Sequence, residues 1–358
     1  MTYVFYFASV LWGLTKKHSR VAEFALMLVI WLLAAFASGN ADSGIYEARF
    51  NFYQSFEGMS EFGWQSLMIL FNKLGVGYQL YRCIIIAFEL LLIHFAIHRL
   101  TDEPVFILAM YMVFPLCLDI VQMRFALAET IAFFGMSFLF ERDTMGHETK
   151  HPKLAFVLIV LVSSLFHFIT ILYLLLLLAP RLGSVTSVIA VPLVSVAFVL
   201  LTHWSGLANL ASTVGLETKF EGLTSSSMSQ IGRYAFNIFF YGIAWAVIFL
   251  LANRSRTNAS IRRVALVTNW VITAVAMPLL FISVDFYRFQ QGITLLNLAF
   301  ISRFLSPEEH LAFSRENLLI IFLVLLLSVA NLYLYVLDNT NFIYVLLPMF
   351  QNNLVLPG

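Results

Sequence analysis

Leu154 to Leu178 reads LAFVLIVLVSSLFHFITILYLLLLL, a run with no charged residue and a single histidine, His167. A hydrocarbon core about 30 Å thick is crossed by roughly 20 apolar residues of helix, so a run of this kind belongs in lipid. Further apolar runs lie at about 2–14, 21–38, 78–97, 104–118, 121–140, 184–203, 234–252, 264–284, 287–302 and 317–337. The chain of 358 residues is 61% hydrophobic and 11% charged, against about half and a quarter in soluble domains. The sequence therefore predicts an all-α, polytopic transmembrane bundle of about 10–11 spans, forming one integral membrane domain over residues 1–358. Two polar stretches, 39–77 and 203–233, read as periplasmic loops, and 338–358 reads as a C-terminal tail. The run at 2–14 is short, and Lys16, Lys17 and Arg20 follow it where a cleavage site would stand, so it is not a secretory signal. A net charge of +1 gives no sign of a nucleic-acid partner. Cys83 and Cys117 fall in apolar segments without zinc or redox spacing and read as small buried hydrophobes. There is no fixed-period repeat, and the halves do not resemble each other, which argues against an inverted-repeat transporter.

Lysine and arginine set the orientation, because they favour cytoplasmic loops. Lys16, Lys17 and Arg20 mark the first cytoplasmic turn and put 39–77 outside; Arg142, Lys150 and Lys153 mark a later one. If 154–178 is one straight span, the basic residues divide as 10 inside and 11 outside; if it breaks and turns back near Phe166-His167-Phe168, they divide as 14 and 7. The broken form obeys the positive-inside bias. It leaves Arg49, Lys73, Arg82, Arg124, Lys219, Arg233 and Arg288 on the outer side, where anion binding is the natural reason to keep them.

Four stretches carry candidate chemistry. In the first outer loop, Asp42 stands just past a span and Tyr46 follows; Asp42 is either a helix-end residue or a base that orients an acceptor hydroxyl. Apolar residues then recur at Trp64, Leu67, Met68, Phe71 and Leu74, with Glu61, Gln65 and Lys73 elsewhere around the wheel. That periodicity predicts an amphipathic helix in the interface plane. Next, Gln122 and Arg124 open a span after Pro115 and Asp119. An arginine at that depth forms a salt bridge with Asp119, snorkels to the interface or faces a wet cavity, and its fork of donors suits a diphosphate. Glu129, two turns further in, reads as hydrogen-bonded packing. His167 is either a core residue or a base or phosphate donor at the reversal. Lastly, Asp285, Tyr287 and Arg288 share one helical turn, and Asp285 and Arg288 can pair; Arg233 closes the second loop, where Trp204 and Phe220 are available for sugar stacking. No phosphate-binding glycine loop, metal-ligand cluster or nucleophile elbow is legible, so neither a cofactor nor a metal is expected.

At these positions the sequence resembles the EpsG family of Wzy-like polysaccharide polymerases. The similarity rests on Asp42 with Tyr46, Arg124 with Ala128, Ser164-Leu165-Phe166-His167, and Tyr287-Arg288, in that order over about residues 1–300; Ser43 departs from the aromatic frequent after the acid. The resemblance implies a multi-pass enzyme of the bacterial inner membrane, similar in plan to membrane glycosyltransferases with lipid-linked donors. It would join polyprenyl-diphosphate-linked oligosaccharide units at the periplasmic face into O-antigen, capsule or exopolysaccharide. Asp42 and His167 would be catalytic, and Arg124, Arg288 and Arg233 would hold the diphosphate. Tyr46, Trp64, Gln122, Asp285 and Tyr287 would contact substrate. Membrane lipid, a flippase and a chain-length regulator are the expected partners. Rival readings are an oligosaccharide ligase, which differs only in its acceptor, a flippase or transporter, and, on His167 alone, an acyltransferase.

Overall fold

The computed structural model describes residues 2–15, 19–56, 61–140, 150–178, 193, 196–197, 228–252, 259–305, 315–337 and 342–356. Among them there is no strand, only an isolated antiparallel bridge between Ala37 and Asn353. The chain divides into two compact units: Met1–Ile171 with Leu295–Gly358, and Leu172–Thr294. Three helices are long and apolar enough to cross a membrane on their own, Tyr78–Leu100, Ile231–Ala252 and Asn317–Val336; shorter apolar helices are Thr2–Thr15, Pro104–Val113, Pro152–Ser164, Phe168–Leu178 and Phe342–Gln351. The architecture is that of a helical membrane protein, but several expected spans are shortened. Pro115 lacks an N–H and interrupts the run at 104–118, and the run at 154–178 breaks after Ser164. Most of the 184–203 run and most of the 203–233 loop, with Trp204, Lys219 and Phe220, lie outside the described residues, as do Lys16, Lys17, Arg142, Arg254 and Arg256.

In the first unit, α1 (Thr2–Thr15) packs on α2 (Arg20–Ala35) and α6 (Pro104–Val113), while α2 also packs on α5 (Tyr78–Leu100). The orphan carbonyls at the end of α2 are met by side chains of α5: Gln79 donates to Ala35 O at 2.8 Å, and the buried Arg82 donates to Ala34 O at 2.8 Å and to Ala37 O. A cation at a helix C-terminus satisfies both hydrogen bonding and the helix dipole. Arg82 is thus a cap rather than a free outer cation. The expected C-terminal tail is docked in its described part: Ser38 N–H donates to Asn352 O at 3.0 Å, and Leu354 N–H donates to Phe36 O at 2.9 Å. Gly39 permits this crossing, because its φ is +67° and a Cβ there would meet Asn352.

The stretch expected to be the first outer loop is itself helical. After α3 (Ser43–Asn51) and a 3-10 turn, Tyr53–Phe56, comes α4 (Phe62–Lys73). Its stripe from Trp64 to Phe71 forms the expected helix, but the face carrying Trp64 and Met68 is buried against protein. Phe50, Trp64 and Met68 join Tyr81 and Ile85 of α5 and Met123, Leu127 and Ile131 of α8 (Met123–Leu139) in one cluster, with Tyr46, Leu67 and Phe71 at its rim. The exposed apolar residues of this stretch are instead Phe62, Leu70 and Leu74. Short α7 (Leu116–Val121) precedes α8, and α8 packs along α9 (Pro152–Ser164).

The break at the end of α9 lies where the charge bias placed it. After Ser164 the helix gives way to a turn at Leu165-Phe166, and a 3-10 segment begins at Phe168. Ser163 Oγ lies 2.7 Å from Thr170 Oγ1. Seven residues of straight helix would rise about 10.5 Å, so the chain bends sharply there. Gly63 of α4 sits on the bend and donates to Leu165 O at 2.8 Å.

In the second unit, α10 (Met228–Ala252) packs on α11 (Ala259–Leu279), and a 3-10 turn, Val284–Phe286, leads into α12 (Tyr287–Gln291). The buried Gln290 donates to Ile238 O at 2.8 Å, and Tyr241 and Thr294 hydroxyls are 2.6 Å apart. The remaining helices, α13 (Thr294–Phe304, in the first unit from Leu295), α14 (Arg315–Leu332) and α15 (Leu347–Gln351), complete the chain.

A Cβ on Gly63 would stand 2.9 Å from Leu165 O and 3.0 Å from Leu165 C. Because backbone cannot yield as a side chain does, Gly63→Ala is expected to cost about 1–3 kcal/mol, the usual penalty of overpacking. Gly44→Ala, on α3 with nothing within 4 Å, is expected to cost nothing. Thermal unfolding of the two variants in detergent measures the difference.

Candidate functional site

The candidate site of the first unit grows from the contact of α3 and α4 with the start of α8 and the α9 bend. Asp42 is the N-cap residue of α3. Its N–H donates to Asn40 Oδ1 at 3.2 Å, and its carbonyl accepts Tyr46 N–H at 3.0 Å. The carboxylate is half-buried, one turn from Tyr46. Tyr46 meets the Trp64 ring edge-on at 5.7 Å, and Trp64 in turn meets Tyr81 at 5.9 Å. Trp64 is 0% exposed, so it offers no ring face to a sugar.

Three residues before Trp64, Glu61 Oε2 accepts from Arg124 Nη1 at 2.5 Å. The side chains are 14% and 22% exposed, so the pair is partly desolvated. Arg124 therefore pairs with the acid that precedes α4. Asp119, its nearer candidate in sequence, instead accepts from Tyr111 Oη at 2.9 Å. Arg124 Nε is buried and donates to nothing among the described residues. A guanidinium carries five donors, so this one keeps capacity beyond Glu61. Gln122 is half-buried at the junction of α7 and α8, where its N–H donates to Leu118 O at 2.8 Å and its carbonyl accepts Ala126 N–H at 2.9 Å.

His167 is 6% exposed, edge-on to Phe125 at 5.1 Å. Phe125 follows Arg124, so the histidine stands beside the start of α8 from within the protein. Backbone groups loosened by the bend are satisfied locally. His167 N–H donates to Ser163 O at 3.2 Å, and Thr170 Oγ1 lies 2.8 Å from His167 O. Ser163 Oγ also reaches Ala128 O at 2.6 Å. Hydroxyls and neighbouring helices are how a broken helix is tolerated at membrane depth.

Deeper in the unit, Glu89, Tyr111 and Asp119 line a small cavity together with Ile30 and Ala34. Glu129 is buried, and its Oε2 makes no hydrogen bond among the described residues. The hydrogen-bonded packing expected of it is therefore met at most in part. Carboxylates inside a membrane protein are costly and usually functional.

The second unit holds the other predicted residues. Arg288 pairs with Asp285 at 3.3 Å, as the i, i+3 spacing required, and its guanidinium lies 5.9 Å from the Tyr287 ring. Tyr287 stacks on Tyr234 at 4.9 Å, which puts exposed Arg233 next to the stack in sequence.

Two groups escaped sequence reading. Glu61 had no signal beyond being a loop acid, indistinguishable from a solvated one. Against the expectation of no metal-ligand cluster, Glu23, His94 and His98 converge with ligand atoms within 4.8 Å of one another. The signal was available as a His-x-x-x-His spacing, which places two imidazoles on one helical face.

A family model described as the EpsG family matches residues 22–348. No curated protein and no solved structure matches the chain. The matched residues include the second unit, most of the first and every candidate site residue.

Exposed ion pairs contribute roughly 0.2–1 kcal/mol, and partial desolvation places Glu61–Arg124 near the top of that range. A double-mutant cycle of Glu61→Ala and Arg124→Ala on unfolding in detergent should give a coupling of about 1 kcal/mol. A coupling near zero contradicts the pairing.

Proposed function

We propose that this chain, which belongs to the EpsG family of Wzy-like polysaccharide polymerases, polymerises polyprenyl-diphosphate-linked oligosaccharide units by glycosyl transfer at the outer face of the bacterial inner membrane. In the proposed reaction, an acceptor sugar hydroxyl attacks the anomeric carbon of the donor. The carbon–oxygen bond to the diphosphate breaks, and the polyprenyl diphosphate leaves with the bonding electrons. Positive charge grows on the sugar and negative charge on the leaving group. A fixed guanidinium in a water-poor site stabilises that developing charge without reorganising.

Arg124 is the residue we assign to the leaving diphosphate, and Glu61 is its resting partner. Phosphate oxygens compete with the Glu61 carboxylate for the same donors, so the ion pair keeps the guanidinium in position until substrate arrives. Asp42 is assigned the acceptor proton, with Tyr46 one turn away against the substrate. His167, buried behind Phe125, is proposed to set the α9 bend and the start of α8, or to take a proton once substrate enters. Gln122, at the same junction, is proposed to contact the donor. In the second unit, Arg233, Asp285, Tyr287 and Arg288 are proposed to meet anionic and sugar groups by the same guanidinium and ring chemistry. The observation that supports this reading is the outer-loop acid, Glu61, seated on Arg124 at 2.5 Å.

Cells lacking the protein distinguish the readings. A polymerase null leaves single repeat units on their carrier, a ligase null accumulates long unattached chains, and a flippase null leaves units facing the cytoplasm. The first outcome is expected here, and either of the others overturns the proposal. Arg124→Ala, at normal protein level, is expected to remove the long-chain ladder on a glycan gel. Loss of a preorganised charge contact of this kind lowers rate by about 10²–10³. Arg124→Lys is expected to restore little, because a point charge does not replace a two-pronged fork. A full ladder from Arg124→Ala removes the residue from the site.

A further inference from the structure

We infer that Glu23, His94 and His98 form a binding site for a divalent transition-metal ion of the zinc class, apart from the outer-face chemistry. His94 and His98 lie one turn apart near the end of α5 that carries Arg99, and Glu23 sits in the first turn of the facing α2. Ser19 caps α2 with its hydroxyl on Ala22 N–H at 3.2 Å, while Glu23 N–H donates to Ser19 O at 2.9 Å. The carboxylate is thereby held on a fixed helix start. Both imidazoles turn to the same carboxylate oxygen: His94 Nδ1 is 2.6 Å and His98 Nε2 is 2.9 Å from Glu23 Oε1.

Three features favour a metal over a hydrogen-bonded clasp alone. The first is ligand type: two imidazoles and one carboxylate suit zinc and its neighbours, and three protein ligands leave a fourth place for water. The second is reach. Glu23 is 2% exposed, while His94 and His98 are 21% and 38% exposed, so the site has a buried anion at its base and an open rim. The third is geometry. A tetrahedral ion with ligand distances of about 2.0–2.1 Å separates its ligand atoms by about 3.3 Å, so each of the two imidazole nitrogens needs to draw back from Glu23 Oε1 by only about half an ångström to admit it. His94 is flanked by Phe24, with ring centroids 5.8 Å apart, and by His98 at 4.5 Å, which restricts the rings to that pose. A ring nitrogen coordinates through its lone pair, so each imidazole binds as the tautomer that carries its proton on the opposite nitrogen. The ion then fastens α2 to α5 at the end opposite the Arg82 and Gln79 caps.

Cobalt(II) is the probe, because it occupies zinc sites and its low-coordinate form absorbs in the visible. The full chain, purified in detergent and stripped with chelator, is titrated with cobalt(II) and then with zinc. One equivalent of cobalt with visible d–d bands, displaced by zinc and accompanied by a raised unfolding midpoint, is expected. His98→Ala, His94→Ala and Glu23→Gln should each weaken binding at least 10-fold, since even outer-shell losses cost about 10–100-fold in metal affinity. His151→Ala, an exposed residue elsewhere, should leave it unchanged. Because His98 is the most exposed of the three, its alanine variant keeps the fold and the test survives failure of the others. No stoichiometric cobalt in the wild-type chain, or undiminished binding in the His94→Ala/His98→Ala double variant, overturns the proposal.

Discussion

A partly buried guanidinium must meet an anion or water, and the start of α8 places Arg124 under that demand. Its partner comes from the residue before α4, 63 positions away in sequence. To deliver Glu61 there, α4 must lie down on the bundle. The buried face of α4 makes this favourable, since Trp64 and Met68 close over Tyr81, Met123 and Leu127. Each large apolar side chain removed from water contributes about 1.5–3 kcal/mol, so this packing outweighs a partly exposed ion pair. Apolar burial thus holds the loop in place, and the charge pair fixes which acid meets which base.

The same docking explains why α9 breaks where it does. Gly63 N–H donates to Leu165 O, a carbonyl set free by the bend, and the absence of a side chain at position 63 lets the two backbones touch. Ser163, Thr170 and Ala128 complete the local accounting of polar groups. Asp42, Tyr46, Glu61, Arg124 and His167 consequently sit on elements joined by direct contacts within one unit. The proposed division of labour, cation for the leaving group and carboxylate for the acceptor, rests on that connected framework.

Much of this was legible in advance. The apolar runs announced a helical membrane protein, and a broken run near Phe166-His167-Phe168 was the form the charge bias favoured; the helix does break just before it, after Ser164. The Asp285–Arg288 pair followed from spacing alone. What periodicity could not show was which way an amphipathic face turns. The stripe from Trp64 to Leu74 has the same pattern whether it meets lipid or protein, and only tertiary packing buries Trp64 while leaving Phe62 and Leu70 exposed. Long-range pairing was equally hidden. Arg124 has Asp119 five residues away, yet its partner is Glu61, and Glu23 reaches His94 across 71 positions. Outer cations counted from sequence also proved unlike one another, since Arg82 spends its donors on the end of α2 while Arg124 retains some.

Proximity and sidedness of the Glu61–Arg124 contact can be tested together. In a background with Cys83 and Cys117 replaced by serine, Glu61→Cys and Arg124→Cys are combined, and intact inner-membrane spheroplasts are treated with a short-armed bifunctional thiol reagent that cannot cross the membrane. An intramolecular bridge formed from the outside is the predicted result. Two cysteines that react singly, or react only after the membrane is opened, would contradict it.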